Sequence, residues 1–367
     1  MKFICDRTTL ANAVSGVSRA VSQRSAIPVL EGIYMKAEGF NLTLTCYDLE
    51  ISITTTIEAN VQEPGETVLS AKLLSDMLRR MPSDEIQIDV SETNNAHICG
   101  GRTEFHIMGM NPGDFPDLPS PGTDQTLDID AATLREIVET TLYAVSTDEK
   151  RPAHTGELLV IEPEQLTVVA LDGFRLAIIE KKIPAQKEAR VIIPAKTMNE
   201  ITKLFTADEE IVHISANRHF AVFSSAQYTV ISRLIEGEFL DYKRVIPEGH
   251  KTRAVVDVRD FISLIERASL IITERLKNPL RVLFEGNKVT VRCQTTLGKV
   301  VDEIPAEVEG ETVEIGFNNR YLLDALRNSH ADKLVFELSG PLSPVKVLPT
   351  EGNDFLFLVL PVRFKNE

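Results

Sequence analysis

The chain has 367 residues, 43% of them hydrophobic and 25% charged, and 39 Lys and Arg against 54 Asp and Glu give a formal net charge of −15. That composition excludes disorder over the bulk of the chain, and at roughly 100–150 residues per domain the length predicts two or three cores. No apolar run approaches the ~18 residues that a transmembrane helix needs, and Asp6 and Arg7 interrupt what would be a signal peptide's apolar stretch, so a cytoplasmic setting is expected.

From the N-terminus, a short strand leads into an amphipathic helix with the stripe Leu10, Ala13, Val14, Val17 and Val21, an i, i+3, i+4, i+7 pattern. Alternating strands follow, as in Leu42–Thr45 and Ile86–Val90, with a second helix between them that buries Leu74, Met77 and Leu78. Gly100-Gly101 reads as a hairpin turn. The same order then returns at an offset of 124. Asp6-x-x-Thr9-Leu10 falls on Asp130-x-x-Thr133-Leu134, Ser70-Ala71-Lys72 on Pro194-Ala195-Lys196, and Gly113-Asp114-Phe115-Pro116-Asp117 on Gly237-Glu238-Phe239-Leu240-Asp241. The first-helix stripe becomes Leu134, Ile137, Val138, Thr141 and Val145, and the second helix buries Met198, Ile201 and Phe205. A third copy opens at Asp257-x-x-Asp260-Phe261, with the stripe Phe261, Leu264, Ile265, Ala268 and Ile272, and a second helix with Leu322, Ala325 and Leu326. Three diverged copies are therefore expected over 1–123, 124–250 and 251–367, each an α+β unit with two helices on antiparallel sheets.

The second helices carry matched cations. Lys72, Lys196 and Arg320 occupy one register, each 124 residues after the last, and Arg79, Lys203 and Arg327 occupy another seven residues on. Seven residues are two helical turns, so both registers share one face, opposite the apolar one. An acidic protein that keeps the same basic spot three times suggests a positive lining inside a negative shell.

Catalytic signatures are missing: there is no GxxxxGK[ST], GxGxxG after a strand, HExxH or GxSxG. The seven histidines and the four cysteines (Cys5, Cys46, Cys99, Cys293) show no ligand spacing, so neither a metal nor a cofactor nor a disulfide framework is expected. Acidic clusters at Asp48 with Glu50, at Asp172 and at Asp208-Glu209-Glu210 leave open a metal-dependent DNA-acting enzyme built on the same repeat, and an acidic protein-binding scaffold is a weaker alternative.

The three copies, Leu171-Asp172-Gly173-Phe174-Arg175-Leu176-Ala177, Phe239-Leu240-Asp241-Tyr242-Lys243-Arg244-Val245, Glu314-Ile315-Gly316-Phe317-Asn318 and the closing Leu360-Pro361-Val362-Arg363 resemble the bacterial DNA polymerase III beta subunits, the sliding clamps. The resemblance runs from Met1 to Phe364. It implies a non-catalytic processivity subunit of the DNA-directed DNA polymerase (nucleotidyltransferase) holoenzyme, a head-to-tail homodimer closing into a ring with helices inside and sheets outside. Such a ring encircles duplex DNA for replication and holds by topology, so its lining needs only a mild, sequence-blind attraction.

On the same basis, DNA contacts fall to Arg24, Lys150 and Arg151 as well as to the six helix cations, with Pro152-Ala153 where some relatives carry aromatics. The resemblance also implies a pocket for short peptide motifs of the replicative polymerase, the clamp loader, and translesion and repair proteins. Its wall is Leu171, Gly173, Phe174, Arg175, Leu176, Leu240, Arg244, Val245, Val359, Leu360, Pro361, Val362 and Arg363, an apolar floor with arginines to meet polar or acidic peptide groups. Phe174, Leu240 and Leu360 depart from a frequent histidine, proline and methionine, and Lys365-Asn366-Glu367 runs past the pocket. The dimer interface is assigned to Phe105 and Ile107 with Ile271 and Ile272 opposite.

Overall fold

The computed structural model describes residues 1–22, 25–120, 122, 125–273 and 279–364. Arg24 and the tail Lys365-Asn366-Glu367 lie outside the described residues. The first copy holds β1 (Lys2–Asp6), α1 (Arg7–Val17), β2 (Gly32–Glu38), β3 (Asn41–Tyr47), β4 (Ile51–Glu58), β5 (Asn60–Glu63), β6 (Gly65–Ser70), α2 (Ala71–Arg80), β7 (Glu85–Val90), β8 (Asn95–Gly100) and β9 (Thr103–Met108). In the second copy come β10 (Gln125–Asp130), α3 (Ala131–Thr141), β11 (Gly156–Glu162), β12 (Gln165–Leu171), β13 (Arg175–Lys181), β14 (Ala189–Pro194), α4 (Ala195–Leu204), β15 (Ile211–Ala216), β16 (Phe220–Ser224) and β17 (Tyr228–Arg233). The third copy adds β18 (Thr252–Asp257), α5 (Val258–Ser269), β19 (Leu280–Glu285), β20 (Lys288–Thr295), β21 (Gly298–Pro305), β22 (Glu307–Gly310), β23 (Val313–Phe317), α6 (Asn319–Arg327), β24 (Lys333–Leu338), β25 (Val345–Pro349) and β26 (Phe355–Val359).

Local chemistry starts the helices where the repeat places them. Asp6 caps α1, its carboxylate accepting the Thr9 N–H at 2.7 Å, and Asp257 caps α5 through the Asp260 N–H at 3.0 Å. Those bonds to the charged form hold the Asp6 carboxyl below its usual range. The stripes bury Leu10, Ala13, Val14 and Val17 in α1, and Phe261, Leu264, Ile265 and Ala268 in α5. The last position expected of each stripe lies beyond its helix: Val21, Val145 and Ile272 are half-buried residues past the C-termini at Val17, Thr141 and Ser269, because each helix ends about one turn sooner than the apolar period.

The chain forms two compact units. One comprises Met1–Ala132 and Asn199–Leu234, the other Thr133–Met198 and Ile235–Glu367. The first holds a sheet of order β5-β1-β7-β8-β9 and one of order β10-β15-β16-β17-β4-β3-β2-β6, and the second holds β14-β11-β12-β13-β26-β25-β24-β18-β22 and β21-β20-β19-β23, every pairing antiparallel. Each long sheet therefore splices two copies, through β4 with β17 (Ile53 opposite Val230) and through β13 with β26 (Ala177 opposite Phe357). Gly101, with φ 65°, makes the tight β8–β9 hairpin that Gly100-Gly101 foretold. Among the described residues, no helix is long and apolar enough to cross a membrane.

One buried carboxyl group stands out. Glu157 on β11 is fully buried, and burial pushes its carboxyl up to about 8. The Thr141 hydroxyl lies 2.9 Å from the Ile137 carbonyl and 2.6 Å from Glu157 Oε1. A hydroxyl has one proton, so if Thr141 donates to the carbonyl, Glu157 must donate to Thr141, which requires the neutral acid. At the corresponding positions of the first copy, 124 residues earlier, stand Val17 and Ile33, both buried and apolar.

Candidate functional site

Helices α2, α4 and α6 present the basic registers as their periodicity predicts. Lys72, Arg79, Lys196, Lys203, Arg320 and Arg327 are all exposed, while Leu74, Met77, Leu78, Met198, Ile201, Phe205, Leu322, Ala325 and Leu326 are buried. The two registers differ in company. Arg79 has Asp76 at 4.0 Å, Lys203 has Glu200 at 3.1 Å, and Arg327 has Glu266 at 2.6 Å, whereas no ion pair is recorded at Lys72 or Arg320 among the described residues. Exposed pairs of that kind are weak, about 0.2–1 kcal/mol, so the second register stays available to an outside anion, and Lys72 and Arg320 of the first are ready for one. Lys150 and Arg151 are exposed on a turn that Asp148 closes by accepting the Lys150 N–H at 3.1 Å.

The pocket residues gather in the second unit. Asp172 accepts the Phe174 and Arg175 N–H groups at 2.8 and 3.0 Å, closing a turn in which Gly173 takes φ 89°. Leu171, Leu176 and Val359 are buried as the floor, continuous with Phe239, Tyr242 and Leu358. Phe174, Leu240, Val245 and Val362 are exposed, and the Phe174 ring, 57% exposed, stacks on Tyr321 at 5.8 Å. The chain after β26 is strapped down twice: the Leu360 N–H donates to the Phe174 carbonyl at 2.9 Å, and the Val362 N–H to the Gly316 carbonyl at 2.8 Å. A Cβ on Gly316 would lie 2.3 Å from the Val362 carbonyl oxygen, so the strap needs glycine there. Pro361 sits half-buried between the two bonds, with Arg363 exposed beyond.

Arg175 is already partnered within the chain. Its guanidinium is 10% exposed, bonded to Asp172 at 2.9 Å and to Asp324, and lies 4.8 Å from the Tyr321 ring and 5.4 Å from the Tyr143 ring. Its charge is already matched, so Arg244 (paired with Asp241 at 2.8 Å) and Arg363 are the exposed guanidiniums. Sequence reasoning missed Tyr143, Tyr321, Asp324 and Gly316. The repeat held a signal for one of them, since Asp324 lies 124 residues after Glu200, which pairs with Arg19 at 2.9 Å.

Of the assigned interface residues, Phe105 and Ile107 lie half-buried on β9, the free edge of the five-stranded sheet, and Ile271 and Ile272 are half-buried just past α5. Among the described residues, the acidic clusters do not meet the grouping that a shared metal ion would need. Asp48 uses its carboxylate to accept the Glu50 and Ile51 N–H groups at 3.0 and 2.8 Å, in the same turn that Asp172 makes. Strand pairing also brings together His97, Cys99 and Glu104, which no spacing in the sequence links, one ligand atom of each within 4.8 Å of the others.

Three family models match in order, the DNA polymerase III beta subunit N-terminal domain over residues 1–119, the central domain over 128–241 and the C-terminal domain over 243–363. The beta sliding clamp of Halalkalibacterium halodurans is 32% identical over 99% of this chain and all of that protein, and that of Staphylococcus epidermidis is 31% identical over 99% of each. The crystal structure of the DNA polymerase sliding clamp from Bacillus subtilis superposes with a TM-score of 0.97 at 29% identity over the whole of both chains, and the DNA polymerase III subunit beta from Pseudomonas aeruginosa with 0.93 at 28% identity over 99% of this chain and all of that one. With three clamp domains in tandem and the matching fold throughout, the chain belongs to the DNA polymerase III beta subunit family, the beta sliding clamps.

Proposed function

We propose that two copies of this chain close head to tail into a cytoplasmic ring around duplex DNA and tether the polymerase, the clamp loader and repair proteins to it, with three domains per chain over 1–123, 124–250 and 251–367. The observation that carries the reading is a pair of strands left over by the internal splices. The splices use the fourth strand of one copy and the last strand of the next: β4 with β17, β13 with β26. Their unspliced counterparts are β21 in the third copy and β9 in the first, each a sheet edge. Exposed edges of this kind are managed by being covered, and a heterologous contact whose rotation closes on itself covers both.

The internal register predicts the contact. The hairpin pairs Ile98–Phe105, Phe223–Val230 and Val347–Phe357 correspond, as do Cys46–Ile53, Ala170–Ala177 and Cys293–Val300. Since Val230 opposes Ile53 and Phe357 opposes Ala177, Phe105 of one chain should oppose Val300 of a second, and Ile107 should oppose Gly298. Leu270, 81% exposed, takes the place of Arg19 and Tyr143, and Leu73, 48% exposed, that of Tyr321, so these two leucines should meet across the same seam, beside the assigned Ile271 and Ile272. Closure would make the exposed cations Lys72, Arg79, Lys196, Lys203, Arg320 and Arg327 the lining, with Lys150, Arg151 and Arg24 as further DNA contacts, while the net −15 repels DNA from the outside. Partner peptides would seat apolar side chains among Phe174, Leu240, Val245 and Val362, and meet Arg244 and Arg363.

The test is a crosslink. In a Cys99→Ser, Cys293→Ser background, which removes the thiol directly opposite residue 300, Phe105→Cys with Val300→Cys should oxidise to a covalent dimer that stays on nicked circular DNA in high salt and slides off once the circle is cut. A chain that stays monomeric at micromolar concentration, or that crosslinks into open polymers, would overturn the reading.

A further inference from the structure

The β8–β9 hairpin carries a chemistry that the fold does not need. On its outward side two directly opposed cross-strand pairs, His97 with His106 and Cys99 with Glu104, place four ligand-type side chains in a two-by-two grid. His97 Nε2 is 3.1 Å from Cys99 Sγ and 3.3 Å from Glu104 Oε2. The His106 ring lies parallel to the His97 ring at 4.3 Å and 2°, which holds that imidazole over the strands. In the equivalent hairpin of the second copy the four places hold Val222, Ser224, Thr229 and Ile231, and in the third Lys346, Leu348, Leu356 and Leu358. The sheet frame thus tolerates ordinary residues at every one of these places, and only the first copy has donors.

We propose that His97, Cys99 and Glu104 form a zinc-class metal site on this hairpin, with His106 orienting His97. Nitrogen, sulfur and carboxylate oxygen form the mixed donor set that Zn²⁺ accepts at about 2.0–2.3 Å in tetrahedral geometry, for which neighbouring donor atoms stand roughly 3.4–3.6 Å apart. The 3.1 and 3.3 Å separations from His97 need a few tenths of an ångström of opening to admit the ion, and the Cys99 and Glu104 donors, within 4.8 Å of each other, adjust by side-chain rotation to reach it. Three protein donors leave the fourth position to water. Burial, then the charges of Glu104 and Asp89, raise the Cys99 thiol, so metal uptake displaces its proton into solvent. The ion would bridge β8 to β9 and stiffen the strand that closes the ring; that consequence rests on the assembly proposed above, but the binding itself does not.

The test uses the full-length chain without a histidine tag. Titration with Co²⁺ should give one equivalent bound per chain, with a thiolate-to-cobalt charge-transfer band that Zn²⁺ bleaches. Cys99→Ser should abolish the band, and His97→Ala should weaken Zn²⁺ binding measured by calorimetry by more than about tenfold, the least that loss of even an outer-shell partner costs. Cys293→Ser and His213→Ala should leave both unchanged, and thermal unfolding of the metal-free variants should match the parent. No charge-transfer band, or a band and stoichiometry that survive Cys99→Ser, would overturn the site. Sedimentation of the metal-free parent separates the two readings, because a dimer there leaves the clamp standing whatever becomes of the metal.

Discussion

Where the first copy meets the second, the Arg233 N–H donates to the Glu50 carbonyl at 2.8 Å; where the second meets the third, the Leu360 N–H donates to the Phe174 carbonyl at 2.9 Å. The two seams share strand register, the aspartate-closed turn at Asp48 and Asp172, and a basic–acidic pair against the second helix. They differ in where the arginine stands. At the first seam Arg19, just past α1, reaches Glu200; at the second Arg175, inside the pocket turn, reaches Asp324 and is clasped by Tyr143, which occupies the place of Arg19. Moving the cation into the turn sets Arg175 against the Tyr143 and Tyr321 rings, with Phe174 stacked on Tyr321, and the first seam has Ile51 and Glu50 at the places of Arg175 and Phe174. A repeated frame fixes backbone geometry, and side-chain exchange within it gives the second seam an exposed aromatic surface that the first lacks.

The largest effect should come from breaking the second pair. Arg175→Ala leaves Asp172 and Asp324 without their cation in a site where all three are mostly buried, a loss of about 3–5 kcal/mol. Arg19→Ala at the more exposed first pair should cost about 1 kcal/mol. Urea midpoints of the two variants would measure the contrast, and equal losses would mean that the rings around Arg175 contribute nothing beyond the ion pair.

The repeat, the second-helix cations and the apolar floor were legible because each depends on local periodicity or on an offset that survives divergence: Lys72, Lys196 and Arg320 are exposed wherever a 3.6-residue period buries Leu74, Met198 and Leu322. What depends on strands far apart in sequence was not. Arg175 reads as a pocket charge until pairing with β26 and α6 brings Asp324 to it, and His97, Cys99 and Glu104 read as scattered until the β8–β9 register puts them on one face. The helix ends were misjudged by a turn for a related reason, since Val21 and Ile272 continue the apolar period outside the helices.

The next effect separates the copies by pH. Glu157 is neutral in the folded chain up to about pH 8, while in the unfolded chain it ionises above its ordinary 4.5. The folded state therefore holds the extra proton between those values, so stability falls as pH rises from one to the other, by up to about 3 kcal/mol between pH 5.5 and 9. Glu157→Gln, which can donate to Thr141 as the neutral acid does, should remove most of that fall and change little at pH 5.5. Urea unfolding across the range checks it, and an unchanged slope in the variant would place the proton elsewhere. A smaller loss belongs to the strap. The Ile235 N–H bonds to the Ile192 carbonyl at 2.9 Å where the third copy joins Val362 to Gly316. Gly316→Ala should cost about 1–2 kcal/mol by forcing the Val362 carbonyl away, and it should weaken binding of a partner peptide while dimer sedimentation is unchanged. Unaltered peptide affinity would exclude the strap from the pocket.

The smallest effect compares the two turns themselves. Gly173 takes φ 89° and Leu49, at the equivalent place of the first seam, takes φ 76°, so one left-handed position is held by the residue suited to it and the other by a side chain that is not. The left-handed backbone costs a non-glycine residue about 1–2 kcal/mol, and glycine gives back part of that through the extra freedom of its unfolded chain, about 0.4–1 kcal/mol. Leu49→Gly should therefore stabilise the protein by roughly 0.5–1 kcal/mol, and Gly173→Ala should destabilise it by a similar amount. Opposite signs in the two thermal midpoints would show that the turn geometry is set by the repeated frame, through the Asp48 and Asp172 carboxylates, rather than by the residue at its tip. If Leu49→Gly destabilises instead, the half-exposed Leu49 side chain makes a contact worth more than the strain it carries, and the two seams differ in their turns as well as in their ion pairs.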